Sequence, residues 1–460
     1  MVPRPANILK HALPYVVTVL CLLSPGLAQE QGWIRTGTGL GVEKVRIAVP
    51  DFKQANADPT TGKLVGVFNQ TLWNDLANAG IFDMVSKSFY PLQQPGDPSD
   101  LACPGTGPCP GLEAWSNPPP NAGMLAFGNL NASGSDLVVL GWLVDAKNPG
   151  PPVLAKQYRE QPTEENARLI AHRFADEIIF RLGGGIQGIA ETKIVYVRSD
   201  RPGSKEVWAM DYDGNNQHQL THTGSIALSP RISPDGTRVA FSAMTPNGWQ
   251  IRMYSLDLNR LVTFPAYKGT NLSPAWSPDG SKLAFSSSMP GDPEIYVSDS
   301  DGRNVRRVTA YHGPDVSPVW NAKTGGQIAW VTGRSGLPQI YVMGADGTNP
   351  ERITDQGYAV SPSWSPNGQY LAFSWIRHYG PGAPGAQDIY VMDIASRQFV
   401  QLTHDGGRND FPSWSPDGRH IVFQSSRSGR EEIWSMLADG SEQHQLTTSG
   451  TNTQPNWSWK

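Results

Sequence analysis

The second half of the chain repeats. A Pro-x-(Trp or Ile)-x column occurs at Pro230-Arg-Ile232-Ser, Pro274-Ala-Trp276-Ser, Pro318-Val-Trp320-Asn, Pro362-Ser-Trp364-Ser, Pro412-Ser-Trp414-Ser and Pro455-Asn-Trp457-Ser, the prolines lying 44, 44, 44, 50 and 43 residues apart. Four of these columns lead into a Pro-Asp/Asn-Gly turn, at Asp235-Gly236, Asp279-Gly280, Asn367-Gly368 and Asp417-Gly418. A short apolar strand follows (Val239-Ala-Phe241, Leu283-Ala-Phe285, Ile328-Ala-Trp330, Leu371-Ala-Phe373, Ile421-Val-Phe423), then an aromatic one such as Ile295-Tyr-Val or Ile433-Trp-Ser, then an outer one such as Gln401-Leu-Thr403. Four short strands every 44 residues or so describe one blade of a β-propeller. Asp-Gly recurs at one offset because tight hairpin turns need a residue that tolerates positive φ. The Trp column reads as core, each ring burying about 150–250 Å², an upper limit of roughly 4–6 kcal/mol by area.

Two half-blades complete the count at six. Ile194-Val-Tyr196-Val has no Pro-x-Trp strand before it, and Pro455-Asn-Trp457-Ser-Trp459-Lys460 has no second strand after it. The C-terminal strand is therefore expected to pair with residues 193–198 and close the ring without a covalent link, which removes an open sheet edge. Asn321-Ala-Lys-Thr-Gly-Gly326 replaces one Ser-Pro-Asp-Gly turn with a looser one. A Gly/Pro-rich insertion over 376–387 lies between second and third strands, either extending a binding rim or serving as a tolerated surface loop.

The first half reads differently. Lys44-Val-Arg-Ile-Ala-Val49 and Phe82-Asp-Met-Val85 suit strands, with a helical face between them at Leu64, Val67, Phe68, Leu72, Leu76 and Ala77. Strands are expected at Asp136–Leu143 and Val153–Tyr158, then a helix from Thr163 to about Leu182 with acids in its first turn. Residues 91–123, rich in Pro and Gly, read as a long irregular excursion. The division is a leader at 1–28, an arm at 29–43, an α/β domain at 44–182, a linker at 183–192 and a six-bladed all-β propeller at 193–460.

The leader rests on Arg4 and Lys10, an apolar Tyr15–Leu23 core and the small-residue ending Gly26-Leu27-Ala28. Its core of about nine residues falls short of the roughly 20 that span a bilayer, and Leu20 stands where a lipoprotein signal at Cys21 needs a small residue. Export with cleavage after Ala28 is expected, moving the formal charge from −4 to −6 as Arg4 and Lys10 are lost. Cys103 and Cys109 remain. In an oxidising compartment they form either a local disulfide or two free thiols, and no neighbouring ligand pair suggests zinc.

Composition narrows function. Gly and Pro make up 87 of 460 residues, and 43 aromatics with only 17% charged residues fit a turn-dense β protein. No Lys/Arg block exceeds two residues, so nucleic acid is not an expected partner. A propeller peptidase would need a Gly-x-Ser-x-Gly elbow, and none occurs. His218-Gln-Leu-Thr-His222 superficially suggests a metal pair, but Gln-Leu-Thr recurs at 401–403 and 445–447 as an outer strand. Asp211-Tyr-Asp213-Gly214 and Asp299-Ser-Asp301-Gly302 lack the bidentate Glu of an EF-hand and read as hairpin turns. No cofactor is expected, and nothing in the sequence supports a cation in the channel. No catalytic residues are assigned; a cryptic hydrolase is the remote alternative, and a propeller recognising an oligosaccharide or peptide the nearer one.

Several segments resemble the TolB family of the bacterial Tol-Pal envelope system. They are Ile47-Ala-Val-Pro50, Asp75-Leu-Ala-Asn-Ala-Gly80-Ile-Phe82, Leu92-Gln-Gln-Pro-Gly96, Ala114-Trp-Ser116, Asp136-Leu-Val-Val-Leu-Gly141, Ala175-Asp-Glu177, Thr192-Lys-Ile-Val-Tyr196 and Asp211-Tyr-Asp-Gly-Asn-Asn216, with the terminal half-blade. The resemblance implies a noncatalytic periplasmic scaffold, monomeric by itself, that supports outer-membrane integrity and constriction at division. It implies binding of the peptidoglycan-associated lipoprotein Pal where loops enter the innermost strands. The matching residues are Ala227, Leu228, Ser229, Thr270, Asn271, Leu272, Ser273, Asp315, Val316, Ser317, Ala359, Val360, Ser361, Asn409, Asp410, Phe411, Asn452, Thr453 and Gln454. It further implies that TolA engages the arm through Gln29, Glu30, Trp33, Ile34 and Arg35, and leaves room for other outer-membrane partners. The loop around Cys103 and Cys109 marks a lineage-specific contact in this reading.

Overall fold

A computed structural model describes residues 43–56, 58–101, 110–379, 385–404 and 406–459. The leader, the arm residues Gln29, Glu30, Trp33, Ile34 and Arg35, the Cys103–Cys109 pair and residues 380–384 of the Gly/Pro insertion lie outside the described residues. Among the described residues no helix is long and apolar enough to cross a membrane.

The N-terminal part runs β1 (Val45–Ala48), β2 (Lys53–Gln54), α1 (Pro59–Asn78), β3 (Phe82–Met84), α2 (Pro110–Ser116), β4 (Met124–Ser133), β5 (Asp136–Asp145), β6 (Leu154–Glu160) and α3 (Glu164–Leu182). The sheet order is β3-β1-β4-β5-β6, with β2 also on β4. β1 is parallel to β3 and β4, while β4-β5 and β5-β6 are antiparallel hairpins. α1 begins five residues before the apolar face suggests. Asp58 caps it by accepting the Thr61 N–H at 2.9 Å, and Pro59 brings a helical φ and no unmet N–H. α3 starts at its expected cap, where Thr163 accepts from Asn166. Both helices cover one face of the sheet, burying Leu64, Phe68, Leu72 and Leu76 against Ile170, Phe174 and Ile178.

β4 is missing from the sequence reading, yet it is the middle strand. Gly128, Asn129 and Asn131 disguise it as loop. Gly128 pairs directly with Gly141 of β5, and a Cβ on either would meet a ring, Phe52 at 2.3 Å or Phe174 at 2.8 Å. The two glycines thus form a floor on which Phe52 and Phe174 meet edge to face, 5.7 Å apart. The expected irregular excursion covers the opposite face, where Leu101, Leu112 and Trp115 bury against Leu125, Phe127 and Val144. With both faces covered, β4 loses the alternation that would betray it.

Six four-stranded antiparallel sheets make the propeller. The first is composite. Its innermost strand is Thr451–Trp457, followed by β7 (Lys193–Arg201), β8 (Ser204–Asp211) and β9 (His218–Gln219). Asn456 pairs with Val195 and Trp457 with Ile194, so the ring closes as expected, with a longer strand than the six residues first assigned. Lys193 and Ser458 exchange backbone-to-backbone and backbone-to-hydroxyl bonds of 2.8 and 2.9 Å, and the Trp457 indole donates to Thr192 Oγ1 at 2.7 Å. His218 and His222 are exposed on the outer edge of this blade.

The Asp-Gly turns between third and fourth strands press blade on blade. Gly347 sits at φ 95°, and a Cβ there would lie 2.5 Å from the Val308 carbonyl oxygen of the preceding blade. Gly440 does the same against Leu402. Positive φ and lack of space act together at this offset.

Candidate functional site

The five innermost strands besides Thr451–Trp457 are Ala227–Ile232, Asn271–Trp276, Asp315–Trp320, Tyr358–Trp364 and Asn409–Trp414. Each breaks register just before its proline, for example between Leu228 and Arg231. At every break the residue before proline adopts positive φ: Ser229, Ser273, Ser317, Ser361, Phe411 and Gln454, all between 51° and 55°. For a non-glycine residue this costs about 1–3 kcal/mol, and six copies ring one channel mouth. Side chains hold the bulges in place. The Ser229 N–H donates to Gln454 Oε1 (2.6 Å), that of Ser273 to Ser242 Oγ (2.9 Å), that of Gln454 to Gln424 Oε1 (3.2 Å) and that of Phe411 to Asp410 Oδ1 (2.8 Å).

The expected rim divides by position. The first residue of the column in each blade, Ala227, Asn271, Asp315, Ala359, Asn409 or Asn452, is fully buried. Asn271 donates to the carbonyls of Tyr267 and Gly269 and accepts from Ser287. Asp315 pairs with Arg334 at 2.8 Å, Asn409 donates to Asp388, and Asn452 donates to Glu432. Ser287 and Arg334 hold Asn271 and Asp315 within their own blades, Asp388 and Glu432 hold Asn409 and Asn452 to the blade before, and none of the six buried residues can meet a partner without the mouth opening. Asp410 is also buried, accepting from Ser361 and Ser374 at 2.8 and 2.6 Å. The surface left at the mouth is half-buried Leu228, Leu272, Val316, Val360 and Thr453, the bulge residues, and exposed Thr270. It is an apolar ring edged with strained backbone and short polar groups.

A second polar cluster joins the two domains. Asp75 of α1 accepts the Tyr212 hydroxyl from blade 1 at 2.5 Å, and its other oxygen lies 2.8 Å from His172 Nδ1 of α3. Burial raises the Asp75 carboxyl above its ordinary range, although His172 and Tyr212 oppose the shift. Burial alone would lower His172, but the Asp75 carboxylate wins and raises it. Nearby, Arg168 bonds Asp213 at 2.9 Å, and His420 Nε2 lies 2.8 Å from the Asn78 carbonyl. Asp176 accepts the linker N–H of Ala190 at 3.1 Å, and burial, followed by the charges of Asp75 and Glu191, pushes it up to about 7. The Asp211–Gly214 and Asp299–Gly302 pairs are hairpin turns: Asp213 accepts the Asn215 N–H, and Asp299 bonds Asn304 and Lys282.

The interdomain cluster was illegible in sequence, because its members lie 97 and 137 residues apart. Arg231 was legible and overlooked. The residue that follows the proline is Arg231, Ala275, Val319, Ser363, Ser413 and Asn456 in turn, a column with one cation in it.

Fold and site together define a two-domain protein in which an α/β module sits on a six-bladed β-propeller closed by its own last strand. A family model described as the TolB beta propeller domain matches residues 180–379 and 355–460, and the chain belongs to that family. The Tol-Pal system protein TolB of Geobacter metallireducens is 34% identical over 227 residues, 49% of this chain and 48% of that one. Its counterpart in Actinobacillus succinogenes is 30% identical over 236 residues, half of each chain. The chain thus spans about half the length of the curated relatives it matches. The crystal structure of TolB from Acinetobacter baumannii shares the fold with a TM-score of 0.74 at 22% identity, covering 90% of this chain and 97% of that one.

Proposed function

We propose that this chain is a noncatalytic periplasmic scaffold of the Tol-Pal system. In this reading the propeller mouth binds the Pal lipoprotein and the arm at 29–43 engages TolA. The protein then helps hold the outer membrane to peptidoglycan and supports its constriction at division. The observation that carries the reading is the mouth itself. Six strained pre-proline bulges and a ring of Leu228, Leu272, Val316, Val360 and Thr453 converge on one opening. Strain held by neighbouring blades supports pre-organised recognition, and a half-buried apolar ring with a polar edge is the anatomy of a protein interface.

Calorimetric titration with the soluble domain of a Pal-type lipoprotein tests it. Saturable 1:1 binding is expected, weakened at least about tenfold by Leu272→Ser/Val360→Ser, because burying two aliphatic side chains at an interface is worth roughly 1.5–3 kcal/mol each. Absence of binding by a cooperatively folded sample overturns the Pal assignment. Binding untouched by the double change moves the interface away from the mouth.

A further inference from the structure

The side chain that follows the proline of each column lines the channel beyond the mouth. In three blades it staples one innermost strand to the next. Asn456 Oδ1 accepts the Ile232 N–H at 2.9 Å, Ser413 Oγ that of Trp457 at 3.0 Å, and Ser363 Oγ that of Trp414 at 3.4 Å. Arg231 occupies the same ring with a guanidinium, which carries five N–H donors and no acceptor. It makes one hydrogen bond, 3.3 Å to the neighbouring Pro230 carbonyl, and no carboxylate among the described residues lies within ion-pair distance. The carboxylates of the innermost strands are already taken, Asp315 by Arg334 and Asp410 by Ser361, Ser374 and the Phe411 N–H.

Burial pulls Arg231 down to about 10, so it stays cationic at neutral pH. Arg231 is half-buried, and a partly desolvated cation without a counter-charge is stabilised by an anion. The room is there. Residues from all six innermost strands line a half-open cavity of about 90 Å³ that includes Arg231. A water-sized occupant needs roughly 10–15 Å³ on this measure, so the space has room for an acetate- or phosphate-sized group.

The geometry points to a small-oxyanion site in the central channel, with Arg231 as its anchor and a carboxylate or phosphate as its ligand. The guanidinium plane presents paired donors that match two oxygens of such an anion. A bound anion also neutralises the charge where the innermost strands converge, so it stabilises the closed ring by an amount that grows with the logarithm of anion concentration above its Kd.

The purified full-length protein is titrated with sodium acetate and, separately, with sodium phosphate, against chloride at constant ionic strength and pH. Tryptophan fluorescence is the readout, since Trp276, Trp320, Trp364, Trp414, Trp457 and Trp459 line the cavity, with melting temperature as a second. A saturable fluorescence change and a rising melting temperature are expected for at least one anion. Arg231→Gln weakens the response at least about tenfold and Arg231→Lys keeps part of it, because the charge-assisted bonds supply the affinity. Val319→Asp, which places a carboxylate in the same ring, abolishes the response and raises the melting temperature in chloride. It keeps the test open if Arg231→Gln does not fold. A response that never saturates, or one that persists unchanged in Arg231→Gln or Val319→Asp, overturns the site.

Discussion

Ring closure rests on one tryptophan, and its removal has a computable cost. Trp457 is 2% exposed and packs with Ile194, Tyr196 and Met210 of blade 1 and Val422 and Ile433 of blade 6. Truncating a buried ring of this size costs about 3–5 kcal/mol. Losing the indole bond to Thr192 adds about 1 kcal/mol, since that hydroxyl keeps its own bond to the Ile189 carbonyl. Trp457→Ala is therefore expected to destabilise the propeller by about 4–6 kcal/mol. At roughly 2–4 °C per kcal/mol for a unit of this size, the melting temperature falls by about 10 °C or more. Trp457→Phe keeps most of the ring and loses the N–H, so its fall is about a third as large. Thermal melts by circular dichroism give the magnitude, and hydrogen exchange gives the location. Amides of β7 and β8 lose protection, while those of Asn271–Trp276 and Asp315–Trp320, on the far side of the ring, keep theirs. A fall below about 2 °C, or a loss of protection spread evenly over all blades, refutes the closure argument.

Other outcomes follow from the same contacts. Asp176 is raised from 3.8 to about 7 in the folded protein, so the stability it contributes is complete below about pH 4 and is lost as pH rises through 7. Asp176→Asn should therefore match the original at about pH 3.5 and exceed it at about pH 8, by at most about 4 kcal/mol for a shift of some three units. Urea melts at both pH values check the sign, and a difference independent of pH rules out the assignment. Gly347→Ala should cost about 3 kcal/mol or more, from positive φ plus a clash with the Val308 oxygen, whereas Gly236→Ala, at φ 75° with open space around it, should cost only about 1–2 kcal/mol. Equal losses in denaturant melts would show that backbone strain alone decides both positions.

The chain's own letters determined the propeller. The 44-residue spacing, the Pro-x-Trp column and the Asp-Gly turns are local devices, each satisfied within a few residues, so they survive in one dimension. The terminal half-blade was legible for the same reason: two defects in a regular series complement each other. β4 was not, because its glycines answer to Phe52 and Phe174, which come from elsewhere in the chain. The mouth was half legible. The loops at the innermost strands could be named, but Asn271, Asp315, Asn409 and Asn452 look as available as Ser273 or Gln454 until burial is known. Alternation along a strand says which side chains share a face, while partners on other strands decide which of them remain free. The Asp75–His172–Tyr212 cluster belongs wholly to tertiary structure, since only the packing of α1 and α3 on blade 1 brings an acid, an imidazole and a phenol together away from water. Arg231 stands between these cases. Its oddity is printed in the repeat, but that the cation lacks a counter-charge follows only once six strands have closed around it.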